Sequence, residues 1–227
     1  MFHNDLKNLL PLYLSEYKNT CVIDEANDGA KVKQVIWKNA NFECIDSKIA
    51  KDLSRFFIPA KSADIFKLDC DGAFIVEKKD KAYLFLIELK SSFIPCHIYK
   101  ASNQIISTYI KLNMILGLLP NYVKDKIIVK GVIFSRPCDD KSLRDQDRSC
   151  LLPPNNKYVT ETELTRHFVE NKGKKMTIKP IQCHKLKDVP LGSNALFKEM
   201  ELYHIEVPDP KDSITIDASK LIQEEDV

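Results

Sequence analysis

Between Asp64 and Ser135 the spacing of apolar positions changes several times, and each change marks an element. The run DIFKLDCDGAFIV, the charged Glu77-Lys-Lys-Asp80 and the run KAYLFLIELK are two β-rich segments about a polar turn, which predicts a hairpin. In the second segment Leu84, Phe85, Leu86 and Ile87 are consecutive, as in a strand covered on both faces. After Pro95 the residues Ile98, Ala101, Ile105, Tyr109, Leu112 and Leu116 recur at intervals of three and four. They predict an amphipathic helix stopped by Gly117 and Pro120. IIVKGVIFS, Ile127–Ser135, reads as another buried strand, so strand, helix and strand predict a right-handed crossover.

The flanks are less regular. MFHNDLKNLLPLYLSEYK reads as an amphipathic helix, Val32–Trp37 as a short strand and Ser47–Phe56 as a second helix. Residues 136–159 form a polar loop, and Thr160 with Glu163 makes a capping box for a helix through about Glu170. Short strands are expected at Met176–Leu186, Leu202–Val207 and Ile214–Ile216, a short helix near Ala195–Met200, and a frayed acidic end at Gln223–Val227. The pattern predicts a single α/β domain over 1–227. Its core of about 1–135 holds a mixed central sheet flanked by helices, followed by a C-terminal α+β elaboration of about 136–227. Trp37, Phe56, Phe57, Phe66 and Phe74 read as core aromatics rather than base-stacking platforms.

Composition narrows the function. With 227 residues, 44% hydrophobic and 29% charged, the chain can bury a proper core, which excludes a disordered tail or linker protein. Thirty-four basic against 32 acidic residues leave a net charge of +2, so any surface attracting nucleic acid must be local. Seven cysteines without a CxxC pair read as reduced thiols rather than a disulfide framework or a zinc site. No apolar run is long enough to span a membrane, and the first residues lack signal-peptide features, so a cytoplasmic protein is expected.

The chemistry centres on Glu88 and Lys90, charged residues ending an apolar strand, where burial without partners is costly. Strand alternation puts both on one face, with Leu89 on the other. The preceding segment offers Asp69 and Asp71, and register decides which lies opposite Glu88: a four-residue loop selects Asp69, a six-residue loop Asp71. Either pairing gives two hard carboxylates of the kind that bind Mg²⁺ beside a phosphate, with Lys90 aimed at that phosphate or at water. The plainer alternative is a set of cross-strand ion pairs at a solvated sheet end. A second candidate is the basic strip Arg166–Lys187, where Lys172, Lys174, Lys175, Lys179, Lys185 and Lys187 would track a DNA backbone.

These residues resemble the PD-(D/E)XK, or restriction-endonuclease-like, nuclease superfamily. The match is Asp71 in CDGAF, Glu88-Leu89-Lys90 in LIELKSS, the following helix and the strand Ile127–Ser135, roughly residues 64–135. The resemblance implies a restriction-endonuclease-like core and a Mg²⁺-dependent nuclease, with Mn²⁺ able to substitute, that cuts DNA to leave a 5′-phosphate. It implies that Asp71, Glu88 and the Leu89 carbonyl hold metal, that Lys90 handles water and that Gln104 faces the site. Glu16, with Glu25 behind it, or Asp69 would supply an additional acid. Such a nuclease would act as the effector of a bacterial defence or repair system, with a partner subunit or a homo-oligomer supplying recognition. The alternative is a non-catalytic, nuclease-like interaction subunit of a nucleic-acid-processing complex.

Overall fold

The apolar run KAYLFLIELK forms a central strand. The computed structural model describes residues 3–16, 18–59, 64–139, 144, 157–171, 175–192 and 195–223. Its strands are β1 (Lys18–Asp24), β2 (Gln34–Ile45), β3 (Gly72–Lys78), β4 (Lys81–Lys90), β5 (Ile127–Ser135), β6 (Met176–Ile178), β7 (Met200–Glu206) and β8 (Ser213–Asp217). Among the described residues they make one mixed, open sheet of eight strands in the order β1-β2-β3-β4-β5-β7-β6, with β8 paired to β2. β4 runs antiparallel to β3 and parallel to β5, and β5 runs parallel to β7. The chain is therefore α/β, with helices α1 (His3–Leu9), α2 (Lys48–Phe56), α3 (Pro95–Leu116), α4 (Lys157–Glu170) and α5 (Ala218–Gln223).

α3 forms for the reasons its sequence gives: Pro95 sits at its first position, where a missing amide costs nothing, and one apolar face lies on the sheet. Ile98, Ala101, Ile105, Tyr109 and Leu112 pack with Leu84, Leu86, Val129, Ile133 and Leu202 in one core layer. The opposite face of the sheet carries a second layer of Phe74, Phe85, Ile87, Leu89, Val132 and Phe134. β2 supplies its cover by bending at Asn39, a left-handed residue (φ 65°), a conformation Asn tolerates. Its first half pairs with β1 and β8 and its second half with β3. The bend sets Trp37 over Phe74, Phe85 and Phe134, with ring centroids 5.0, 5.5 and 5.9 Å away.

Several elements depart from the sequence pattern. The N-terminal helix, expected through Lys18, stops at Leu9, just before Pro11, and an unexpected strand, β1, runs from Lys18 to Asp24. The strand expected at Val32–Trp37 runs on to Ile45, because β3 offers its second half a partner. Of Met176–Leu186 only Met176–Ile178 is a strand, and two short 3₁₀ turns follow it. No helix forms at Ala195–Met200, whose last residue opens β7, whereas Ala218–Gln223 is helical. α4 begins at Lys157, three residues before the expected cap, and Asp145–Asn156 and the last four residues lie outside the described part. Phe56, expected in the core, is 76% exposed.

Candidate active site

Register assembles the site. β3 and β4 zip to a two-residue turn at Lys79-Asp80, pairing Lys78 with Lys81, Val76 with Tyr83 and Gly72 with Ile87. This is the register of the wider-loop alternative, so Asp71 rather than Asp69 comes beside Glu88. Asp71 donates its amide to the Ile87 carbonyl at 3.0 Å and accepts the Leu89 amide on Oδ2 at 2.7 Å. One carboxylate is thus fixed by the backbone of the strand that carries the other.

Glu88 lies on the α3 side of β4 and is 1% exposed. Its Oε1 accepts from the Lys90 ammonium, while Oε2 is buried with no protein partner among the described residues. Lys90 also donates to Gln104 Oε1 at 2.9 Å, and Gln104 Nε2 donates to the Asp69 carbonyl at 2.6 Å. A continuous chain, Glu88, Lys90, Gln104 and the backbone before β3, therefore orients the ammonium. Burial, then the neighbouring Asp71 charge, pushes the Glu88 carboxyl up to about 8. Burial pushes Asp71 up to about 6, against the Leu89 amide, which favours the charged form.

The other expected residues distribute differently. The Asp69 carboxylate turns away to the fully buried Lys111, whose ammonium also donates to Ser54 Oγ and the Leu68 carbonyl, each at 2.7 Å. This closed network ties α2 to α3. Glu16 is a surface residue, 86% exposed in its side chain and 3.5 Å from Lys7. The third acid near the pair is Glu25, just past the end of β1, whose charge raises the proton affinity of both Asp71 and Glu88. Its placement depends on β1, which the sequence pattern does not reveal. Lys51 of α2 acts on Asp71 in the opposite sense.

Of the basic strip, Lys172 and Lys174 lie outside the described residues. Lys175 is bound to Glu201 at 2.6 Å, and Lys179 lies 3.9 Å from Glu199. Lys185 and Lys187 are exposed. Two of these cations are thus neutralised by β7 and the segment before it.

Whether these residues suit a divalent cation can be judged from their own chemistry. A buried and a half-buried carboxylate share one ammonium, both have raised proton affinity, and one Glu88 oxygen has no partner among the described residues. A hard cation would supply the missing charge, and Mg²⁺ takes one or two carboxylates with the rest of its shell from water and phosphate. Asp71 and Glu88 would hold it. Among the described residues no group of three His, Cys, Asp or Glu forms a more complete centre.

A scan against protein-family models matches none, and searches of curated proteins and of solved structures likewise return no match.

Proposed function

We propose that the protein is a Mg²⁺-dependent nuclease of the PD-(D/E)XK type that hydrolyses DNA. The observation carrying this reading is the juxtaposition at one strand end of Asp71 and Glu88, both with raised proton affinity, and a Lys90 held by Glu88 and Gln104. Surface ion pairing at a solvated sheet end would leave Glu88 wet and its oxygens satisfied, whereas Glu88 is buried and Oε2 is not.

The cation, when bound, would neutralise the charge that develops on the phosphate oxygens. The chain's own residues do the rest. Asp71, locked by the Leu89 amide, and Glu88 would hold that cation at the strand end. Lys90, released from Glu88 as that carboxylate is engaged, hydrogen-bonds the attacking water and the non-bridging oxygens. Water loses a proton to solvent as it adds to phosphorus, the bond to the 3′ oxygen breaks and that oxygen takes a proton from solvent, so the phosphate stays on the 5′ side. Gln104 keeps the ammonium from swinging into solvent.

Cleavage of supercoiled plasmid, linear duplex and single strands should require Mg²⁺ or Mn²⁺ and be blocked by EDTA. Glu88→Ala and Lys90→Ala should each lower the rate by about a hundredfold or more while the fold is retained. Undiminished cleavage by the folded double variant would sink the assignment. A wild-type protein that neither cleaves nor binds Mn²⁺ would instead be an interaction subunit.

A further inference from the structure

The outer face of α2 carries features that neither the catalytic site nor the fold uses. α2 buries Ile49, Ala50 and Ser54 and leaves Lys48, Lys51 and Arg55 exposed at intervals of three and four, so the three cations share one stripe. At about 1.5 Å per residue the stripe spans about 10 Å. Neither Lys48 nor Lys51 forms an ion pair among the described residues, and Arg55 meets only Asp52, in a largely exposed pair. Phe56, the last residue of α2, lies about 100° round the helix from Arg55 and is 76% exposed. Its ring is nonetheless held: Phe57 meets it edge-on at 5.2 Å and itself packs at 4.7 Å on Phe66, a core residue. A fixed, exposed aromatic ring one residue from Arg55 leaves apolar surface in water.

The stripe begins next to a cleft that reaches Asp71. Asp46 and Ser47, which lead into α2, line a cleft of about 440 Å³ together with Asp71 and Gly72. Lys51 is close enough to favour the charged form of Asp71. A polyanion with one phosphate at Asp71 and Glu88 would meet these cations next.

We propose that this face of α2 binds the backbone of single-stranded nucleic acid running from the scissile phosphate, with an unpaired base stacked on Phe56. The occupant is single-stranded because an exposed ring face takes a base only where pairing does not hide it, while cations spaced along one stripe follow a backbone without reading sequence. The inference rests on the nuclease reading and adds the strand state of the substrate and the path it takes.

The test is fluorescence anisotropy with a labelled oligothymidylate and a labelled duplex, in EDTA so that nothing is cut, alongside cleavage in Mg²⁺. Wild type should bind the single strand more tightly than the duplex. K48Q/K51Q should weaken single-strand binding about tenfold and reduce the slope of log affinity against log salt by about 1.4. F56A should weaken single-strand binding about tenfold, leave the duplex unchanged and be rescued by F56W. All of these positions are exposed, and circular dichroism verifies folding. Oligothymidylate binding that is absent, or equal in wild type and both variants, overturns the proposal, as does an F56A loss as large on duplex as on single strand. Binding that depends on these residues without cleavage in Mg²⁺ keeps this inference and removes the nuclease reading. Cleavage of single strands that K48Q/K51Q and F56A leave untouched does the reverse.

Discussion

At the scale of single residues, the site is defined by carboxyls wholly or partly withdrawn from water. Asp71 and Glu88 have ordinary values of 3.8 and 4.5 and are raised to about 6 and about 8. The folded chain therefore keeps protons that the unfolded chain releases. The stability this gives is complete below the ordinary values and is lost as pH rises through about 6 and then about 8. In EDTA the melting temperature should fall between pH 5 and 8.5, and E88Q should flatten the profile. A wild-type profile as flat as that of E88Q would show that water reaches the pair. Divalent cations should reverse the fall, because they bind the same carboxylates without their protons.

At the scale of elements, the site depends on how closely β1 approaches the hairpin. A Cβ built on Gly72 falls 2.3 Å from Ile23 Cδ1 and 2.7 Å from its Cγ2. Glycine at this position is therefore a matter of room. Gly72→Ala should push Ile23 and β1 outward at a cost of about 1–3 kcal/mol, read as a lower denaturant midpoint. Because Glu25 follows β1, the same substitution should draw the Glu88 carboxyl back toward its ordinary value. An unchanged Glu88 titration, followed by NMR, would show that Glu25 has no part in it. Asp71, Glu88 and Lys90 were readable as candidates, since strand alternation is a local property, and Gln104 was named through the family resemblance. Glu25 was named only behind Glu16, and Phe56 was read as core, because the place of β1 and the outward turn of α2 depend on what packs against them.

At the scale of the molecule, β7 and β8 join strands from much earlier in the chain. β7 enters the sheet beside β5, and β8 runs parallel to β2, pairing Val35 with Ile214 and Trp37 with Ile216. Arg136, just after β5, ties these regions together. It donates to the Lys31 carbonyl at 2.6 Å and to the Val207 and Pro208 carbonyls at 3.1 and 3.0 Å. Circular dichroism and the fluorescence of Trp37, the single tryptophan, should report one coincident unfolding transition. Arg136→Ala should lower the midpoint, with a loss of about 1–3 kcal/mol in unfolding free energy, since the buried Val207 carbonyl and the part-buried Lys31 and Pro208 carbonyls lose their donor. Two separate transitions in wild type would show that the β1-β2-β8 layer unfolds by itself. No helix among the described residues is long and apolar enough to cross a membrane.

The sequence by itself determined the hairpin, the long helix and the strand after it, because hydrophobic period and the punctuation of Pro95 and Gly117 are written into consecutive residues. It also determined that Glu88 and Lys90 share a face. Only the tertiary structure decided that Asp71 and not Asp69 stands beside Glu88, since a register shift of two residues leaves the alternation intact and only the tightness of the turn selects one pairing. It alone decided that Asp69 serves Lys111, that β2 bends to cover the second face and that Phe56 points outward. Each of these is settled by contacts between segments far apart in the chain, where the local pattern carries no information.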